Sequence, residues 1–335
     1  MSPTIRASWA AVIALICAGL STPANAAEKV TFVMSWAPDS RWAGEFLAKE
    51  RGYFAQEGLE VNFVHQRGSL ASLQQVGAGG AEFGSPDSSD VIVAREKDKG
   101  VPVKIITLVG RNSGVGFMSL KETNITKPQD LVGKKVGVQR ASATWTPFLA
   151  LMAKYGVDVD KLEKIEASFG LEVLLLKKVD IRPVMIFNEY VLAQHKGIPV
   201  NVMWIPDFGL NLPGITITTN EKTLRERPKV VQAFVNASMR GREEGMKDRK
   251  AAVEALAKNV PDTDSAYQAK VWDMLVDKIW GVKDATKERP LGSNDPALYK
   301  SAVEILTQYG GLKNPPPIDE VYDNRFVEAY YRGKR

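Results

Sequence analysis

The sequence predicts an α/β fold divided into two lobes, and three observations carry this prediction. Apolar segments typical of buried strands alternate along the chain with segments of helical period. Two passages marked by glycine and proline, GRNSGVGFMSL at 110–120 and PDFGLNLPGITITT at 206–219, bracket about a hundred residues. The chain has 335 residues, 44% of them hydrophobic. Chains of this length usually divide into two cores, so we expect two lobes.

The first 26 residues have the features of a secretory signal and are set apart from the fold. Arg6 precedes an apolar run at 7–20, and Ala24-Asn25-Ala26 provides a cleavage site with small residues. The apolar run is about 14 residues long, whereas a membrane span needs roughly 20. We therefore expect a periplasmic protein that begins at residue 27. An uncleaved membrane anchor is the alternative.

Composition excludes several classes of chemistry. Cys17 is the single cysteine and lies in the signal, so the mature chain would have no disulfide, thiolate metal site or cysteine nucleophile. Ile16 before it disfavours lipid attachment. His65 and His195 are the only histidines, which argues against a histidine metal cluster or a catalytic triad. The net charge of +5, or +4 without Arg6, is too mild to indicate nucleic acid. We predict no cofactor, no metal and no nucleic-acid partner.

The predicted elements follow the alternation in order. Strands are predicted at residues 30–36, 59–65, 81–85, 103–109, 135–139, 179–187 and 200–205, and the longest helices at 42–56 and 228–245. Apolar strands separated by helices indicate parallel sheets that are covered on both faces. If each marked passage crosses between lobes, lobe 1 comprises residues 27–113 plus 213–335, and lobe 2 comprises residues 114–212.

Two lobes joined by two crossings enclose a cleft, and ligands bind beyond the carboxyl ends of parallel strands. Polar and aromatic residues follow several of the predicted strands. The candidate ligand-binding residues are Trp36, Asp39, Trp42, Ser85, Asp87, Ser88, Arg140, Ser142, Thr144, Asn188, Glu189 and Asp207. Capping of the following helix is the alternative role for the serines and acids, and Arg140 is equally explained as a solvated charge.

The stretch SWAPDSRWAGEF, at 35–46, places two indoles and an acid in one turn after the first strand. Trp36 and Trp42 can stack on a planar ring and lose little side-chain entropy on binding. Asp39 between them can accept hydrogen bonds from a ligand or cap the helix that follows. The alternative for either indole is a place in the core of lobe 1.

The acids among these candidates favour one type of ligand. A site for sulfonate or nitrate would be built from hydroxyls, backbone amides and cations, without carboxylates. Carboxylates beside indoles suit a planar ring with hydrogen-bond donors, such as an aminopyrimidine. If Arg111 or Arg140 reaches the cleft, an aromatic acid or a solute of mixed charge becomes competitive.

Four segments carry a resemblance to a known family. They are GYFAQEGLEV, GAGGAEFGSPDSSDVIVAREKDKGVPV, DLVGKKVGV and PDFGLNLPGITITTNEKTLRERPKVVQAFVNASMRGREEG. Over nearly the whole mature chain, the sequence resembles the periplasmic solute-binding proteins of ABC importers for nitrate, sulfonate, taurine and thiamine-pyrimidine precursors. The last segment looks most like the pyrimidine-precursor branch, in which Asp-Tyr-Gly commonly stands at 207–209. That branch often has Trp-x-Pro-Asn-x-x-His after its first strand, whereas this chain has Trp36, Pro38, Asp39 and Trp42.

The resemblance implies a two-lobed periplasmic binding protein of the type II-like class. Such a protein would be a monomer that closes on a small solute and delivers it to a cognate ABC permease with its ATPase. It would contact the membrane only through that permease and would catalyse no reaction. A binding protein for an anionic solute (an aromatic carboxylate, an alkanesulfonate or nitrate) is the first alternative. An exported enzyme is the second, because related eukaryotic proteins make the pyrimidine. Those proteins carry a cysteine-rich motif and a reactive histidine, and the mature chain here has no cysteine.

Overall fold

The computed structural model describes residues 26–96, 100–167 and 170–334. Residues 1–25 of the predicted signal lie outside this part of the chain. No helix within the described ranges combines the length and apolar character that crossing a membrane requires.

The first five-stranded sheet is built from both ends of the described chain. Its strands are β1 (Glu28–Met34), β2 (Leu59–His65), β3 (Phe83–Gly84), β4 (Val103–Leu108) and β10 (Thr216–Asn220). Their order in the sheet is β2-β1-β3-β10-β4. The chain therefore returns to this sheet after leaving it, which the predicted discontinuous lobe requires.

The second sheet is built from the residues between the two marked passages. Its strands are β5 (Val115–Leu120), β6 (Lys135–Val138), β7 (Glu163–Glu166), β8 (Ile181–Met185) and β9 (Val200–Trp204). Their order is β7-β6-β8-β5-β9. The strands of the two sheets support lobe boundaries at 113/114 and 212/213, which remain predictions.

Both sheets are mixed, so the prediction of parallel sheets is wrong for one strand in each. β5 is antiparallel to β8 and β9, and β10 is antiparallel to β3 and β4. These two strands lie within the passages that we predicted as simple crossings. The chain enters each sheet directly from one of these passages, without a helical crossover. The strand formed at that point is therefore antiparallel to the strands beside it. β7 was not predicted.

Helices cover both sheets. They are α1 (Ala43–Glu50), α2 (Tyr53–Gln56), α3 (Ser69–Gly77), α4 (Ser88–Ala94), α5 (Trp145–Lys154), α6 (Glu172–Leu175), α7 (Val191–His195), α8 (Glu221–Glu226), α9 (Pro228–Lys247), α10 (Arg249–Asn259), α11 (Ser265–Met274), α12 (Pro296–Tyr309), α13 (Ile318–Val321) and α14 (Arg325–Arg332). The predicted helix at 228–245 is thus confirmed as α9. The predicted helix at 42–56 is divided into α1 and α2 at Gly52, which has a left-handed backbone with φ of 71°.

Each sheet packs on helices through aromatic side chains. On the first sheet, Phe234 of α9 stacks on Phe83 with ring centres 3.9 Å apart and contacts Phe32 at 5.5 Å. On the second, Phe148 of α5 lies 5.7 Å from Phe117. These residues are fully buried, and dense packing on both sides fixes the strand ends that face the other lobe.

Candidate functional site

A cavity lies between the two sheets, and residues of both lobes line it. The space measures about 550 Å³ including its mouth. The lobe 1 wall is formed by Ser35, Trp36, Arg41, Gly68, Ser69, Ser85, Asp87 and Ile215, and the lobe 2 wall by Ser142, Ala143, Thr144, Pro183, Val184, Met185, Asn188 and Glu189. Most of these residues lie at the carboxyl ends of β1, β2, β3, β6 and β8 or in the loops after them, as expected for a cleft at strand ends.

Seven of the twelve candidate residues line this cavity. They are Trp36, Ser85, Asp87, Ser142, Thr144, Asn188 and Glu189. Their role as ligand contacts stays a prediction. The other five candidates do not line the cavity: Trp42, Asp39, Ser88, Arg140 and Asp207.

Trp42 belongs to the core of lobe 1, so its prediction as a cleft residue is corrected. Its side chain is completely buried and meets Phe32 edge to face, with ring centres 5.2 Å apart. The Arg242 guanidinium lies 5.5 Å from the indole. A 3-10 turn at Ser40–Trp42 separates Trp42 from Trp36, and this turn directs the second indole under α1. The six-residue spacing between Trp36 and Trp42 in the sequence did not predict that the two indoles point in different directions.

Asp39 and Ser88 have structural partners instead of facing the cavity. Asp39 accepts the backbone N–H of Arg41 at 2.9 Å and binds the guanidinium of the same residue at 2.8 Å. It therefore caps the turn, which was the alternative role. Ser88 is fully buried, and its hydroxyl donates to the Pro213 carbonyl. That bond ties the start of α4 to the second passage between lobes.

Arg140 and Asp207 lie on the surface of lobe 2. Arg140 binds Glu166 at 2.7 Å and lies over the Trp145 ring. Asp207 is exposed and follows β9, an edge strand of the second sheet, whereas the lobe 2 wall of the cavity comes from β6 and β8, which lie inside that sheet. Arg111, which we considered as a possible cleft residue, pairs with Asp295 at 2.5 Å outside the cavity wall.

Nine residues of the cavity wall were not among the candidates: Ser35, Arg41, Gly68, Ser69, Ala143, Pro183, Val184, Met185 and Ile215. Arg41 lies between Asp39 and Trp42, and an acid two residues before an arginine in a tight turn is the signal that was available. The segment 183–185 ends the apolar strand β8, and its side chains carry no charged or hydrogen-bonding group. No sequence pattern separates such lining residues from ordinary core residues.

Hydroxyl groups on the lobe 1 wall accept hydrogen bonds from backbone N–H groups of the same wall. The backbone N–H of Ser35 donates to the Ser85 hydroxyl oxygen at 2.8 Å, and that of Asp87 donates to the Ser69 hydroxyl oxygen at 2.8 Å. On lobe 2, the hydroxyls of Ser142 and Thr144 are 2.6 Å apart. These bonds hold the walls in place without a ligand.

Asp87 is the least satisfied polar group of the cavity wall. The residue is 3% exposed, and one carboxyl oxygen accepts the Ser89 N–H at 3.1 Å. The other oxygen, Oδ2, has no hydrogen-bond partner in the described structure. Burial, reinforced by the nearby charge of Asp90, raises the pKa of Asp87 from 3.8 to about 8. Near neutral pH the group is therefore largely protonated, and it can donate as well as accept a hydrogen bond.

Glu189 is also a buried acid, but its two oxygens have partners. One accepts the Met185 N–H at 3.0 Å, and the other lies 3.5 Å from the Arg182 guanidinium. Burial raises the pKa of Glu189, and the charge of Arg182 opposes this shift. Burial also disfavours the charged form of Arg182 and so lowers its pKa. The pair therefore has a structural role in holding β8 to the turn after it.

Contacts across the cleft hold the lobes together. The Tyr267 hydroxyl of lobe 1 donates to the backbone carbonyl of Asn188 at 3.2 Å and also contacts its side-chain oxygen. The Arg41 guanidinium lies 5.3 Å from the Phe187 ring. A Cβ on Gly68 would be 2.5 Å from the Ala141 carbonyl oxygen, so the two backbones touch. The two lobes therefore contact each other beside the cavity.

The model of the NMT1/THI5-like family matches residues 39–252. The chain belongs to the NMT1/THI5-like family. This match covers most of the described chain and includes every residue of the cavity wall except Ser35 and Trp36.

Several relatives of the chain are named as binding proteins. It is 25% identical to the riboflavin-binding protein RibY of Chloroflexus aurantiacus over 90% of this chain and 86% of that protein. It is 23% identical to the formylaminopyrimidine-binding protein of Halalkalibacterium halodurans over 90% of this chain and 91% of that protein. A pyrimidine phosphate synthase of Saccharomyces cerevisiae, THI11, is 28% identical over 63% of this chain and 65% of the enzyme.

A solved structure confirms the fold class. The ligand-binding component of an ABC-type import system from Staphylococcus aureus superposes with a TM-score of 0.65 at 15% identity, over 90% of this chain and 98% of that chain. The predicted two-lobed α/β fold of periplasmic binding proteins is therefore confirmed. The predicted family and the general role of a solute-binding protein are confirmed as well.

Proposed function

We propose that the chain is the extracytoplasmic component of an ABC importer and that it captures a small planar solute with ring nitrogens. The observation that carries this proposal is that Asp87, whose buried carboxyl oxygen Oδ2 has no partner in the described structure, lines the same cavity as Trp36. A buried polar atom without a partner costs free energy, and a ligand that bonds to it recovers that cost.

A protonated carboxyl group beside an indole is complementary to one type of molecule. The carboxyl group can donate to a ring nitrogen and accept from an adjacent amino group, while the indole stacks on the face of the ring. On the opposite side, the apolar segment 183–185 contacts the cavity. Formylaminopyrimidine and riboflavin, the compounds in the names of the two binding relatives, both contain planar rings with nitrogen atoms. In riboflavin a ring N–H and a neighbouring carbonyl oxygen replace the amino group and the ring nitrogen as hydrogen-bond partners.

Closure of the lobes would trap the solute, because both lobes line the cavity and only the closed form offers all of their contacts. The closed protein would then dock on its permease as a monomer. The same proposal includes export of the protein by a signal at residues 1–26 that is then cleaved. Export and a permease partner are expected from the family.

An anionic solute is the second candidate, and the position of Arg41 on the cavity wall favours it. The charge of Arg41 is neutralised by Asp39, however, and Arg41 is the only cationic side chain of the described cavity wall. An enzyme is the third candidate, because synthases are relatives. The cavity wall that the structure describes contains neither histidine nor cysteine, so a histidine base or a cysteine nucleophile is not supplied there.

A thermal-shift screen distinguishes a planar nitrogen heterocycle from an anionic solute as the ligand. A ligand at 100 times its dissociation constant stabilises a protein by about 2.7 kcal/mol. We expect stabilisation by a hydroxymethyl- or formylaminopyrimidine or by riboflavin, and none by taurine or phthalate. Stabilisation by the anions alone would overturn the proposal. Formation of a product from a bound heterocycle would instead establish an enzyme.

A further inference from the structure

Asn188 lines the cavity from lobe 2 and also bonds to two side chains of lobe 1. It lies in a π-helical turn, Ile186–Tyr190, between β8 and α7, and such wide turns are frequent at functional sites. Its amide nitrogen donates to the Asp39 carboxyl group at 3.4 Å, and its side-chain oxygen contacts the Tyr267 hydroxyl. One side chain therefore belongs both to the cavity wall and to the contact between the lobes.

The two lobe 1 partners fix the orientation of the Asn188 amide. The Asp39 carboxylate only accepts hydrogen bonds, so the amide nitrogen faces it. The amide oxygen then faces Tyr267, whose hydroxyl donates. Burial, reinforced by the charges of Asp39 and Glu189, raises the pKa of Tyr267, so the hydroxyl keeps the proton that this bond needs. An amide has two N–H groups and accepts two hydrogen bonds, so one donor and one acceptor position remain for a solute.

The partners of Asn188 are themselves held in place. The Arg41 guanidinium binds Asp39 at 2.8 Å, and both residues are buried. Tyr267 lies in the first turn of α11, where its N–H donates to the capping Asp264 at 3.0 Å. Asp264 lies 3.3 Å from Nε2 of His195, which belongs to α7 of lobe 2. The start of α11, and Tyr267 with it, is thus held against lobe 2.

We propose that Tyr267 is a positioning residue of the solute site that acts through Asn188. Its hydroxyl joins the two lobes at the cavity wall and fixes the amide that a solute contacts, whereas Tyr267 itself does not line the described cavity. The inference rests on the proposed function, in which a solute binds in this cavity. It adds a residue that sets affinity without contacting the solute.

Removing the Tyr267 hydroxyl should affect release of the solute more than its capture. Tyr267→Phe keeps the ring but leaves the Asn188 oxygen without its donor. Because the bond joins two lobes, it forms after a solute has entered between them. With formylaminopyrimidine as the probe, we expect stopped-flow measurements to give a dissociation rate constant about 3- to 10-fold higher and an association rate constant within about twofold of the unsubstituted protein. Unchanged dissociation would overturn the inference.

Tyr330→Phe is the matched control for this measurement. Tyr330 is a buried tyrosine of lobe 1, and its hydroxyl donates to Glu243 of the same lobe at 2.9 Å. Its loss removes a tyrosine hydroxyl bond without changing a contact between lobes, so both rate constants should stay the same. An equal rise in dissociation for both variants would show a general effect of stability and would overturn the inference.

A double-mutant cycle tests whether Tyr267 acts through Asn188. Asn188→Ala removes the amide and leaves only the backbone carbonyl, at 3.2 Å, as a partner of the Tyr267 hydroxyl. In this background Tyr267→Phe should weaken affinity by about twofold or less. If the losses from the two substitutions simply add, Tyr267 acts on the solute by another route and the inference is wrong.

Spin labels on the two lobes give a measurement that needs no solute. Cys17, in the predicted signal, is the single cysteine, so the mature chain offers no competing thiol. Glu254→Cys on α10 and Lys161→Cys in lobe 2 place labels at two exposed positions. By electron paramagnetic resonance, Tyr267→Phe should shift the distances between the labels to longer values, and Tyr330→Phe should not. Identical distances in Tyr267→Phe would overturn the inference.

These measurements separate failure of this inference from failure of the proposed function. If a planar heterocycle binds and Tyr267→Phe changes neither its dissociation nor the distances between labels, only the inference fails. If no planar heterocycle binds but Tyr267→Phe still lengthens the distances, the proposed function fails and the lobe contact at Asn188 stands.

Discussion

Two buried acids face the same cavity from opposite lobes, yet their surroundings differ. Glu189 of lobe 2 has a hydrogen bond from the backbone and a guanidinium beside it. Asp87 of lobe 1 has one oxygen with no partner in the described structure and a second acid, Asp90, nearby. Burial raises the pKa of both acids. The comparison teaches that a carboxyl group at a cavity wall indicates ligand binding only when its own lobe leaves it unsatisfied.

The largest effect should come from Glu189→Gln. The substitution leaves the buried Arg182 charge without its carboxylate, and removing one partner of a buried pair costs about 3 to 5 kcal/mol. Chemical denaturation measures the free energy of unfolding, with Glu163→Gln, an exposed acid of lobe 2, as the control. An unchanged free energy of unfolding would mean that the pair is not structural.

Trp36→Ala should act on binding and hardly on stability. The indole is only half buried in the absence of ligand, so its loss should weaken affinity for a planar solute by about 1 to 3 kcal/mol. Trp42→Phe is the matched control, since Trp42 lies in the core of lobe 1. It should lower stability and leave affinity unchanged. Calorimetry that finds the two effects reversed would contradict the assignment of the two indoles.

Asp87→Asn should change stability in the direction opposite to Glu189→Gln. The amide keeps an oxygen for the Ser89 N–H but removes a carboxyl group whose ionisation burial disfavours. We expect the free energy of unfolding at pH 8 to rise by about 1 kcal/mol or more. Affinity for a nitrogen heterocycle should fall about tenfold. A loss of stability together with unchanged affinity would make Asp87 a structural residue like Glu189.

The stability of the empty protein should also depend on pH. The pKa of Asp87 is raised to about 8 and that of Asp90 to about 6, mainly by burial, and Tyr299 beside Asp87 stays neutral in this range. The folded state therefore binds protons that the unfolded state has released. The free energy of unfolding should fall as pH rises from about 5 to about 8. Asp87→Asn should flatten this dependence; an identical slope in the variant would contradict the raised pKa.

Several of these features could be predicted from the sequence. Apolar strand segments followed by polar residues are local signals, and strand ends collect at the cleft of an α/β fold. For this reason Trp36, Ser85, Ser142 and Asn188, which line the cavity, were among the candidates, and their role as ligand contacts stays a prediction. Asp207 was misplaced by the same rule, because the sequence does not tell an edge strand from a central one.

The sequence by itself determined the alternation of strands and helices, the two-lobed class and the strand ends that line the cavity. Only the tertiary structure decided the antiparallel entry of β5 and β10 and the turn that buries Trp42 while Arg41 reaches the cavity. It also decided that Arg182 satisfies Glu189 while Asp87 keeps a free oxygen. The physical reason is that apolar periodicity is a property of neighbouring residues. Partners of a buried charge come from distant segments, and only packing brings them within a few ångströms.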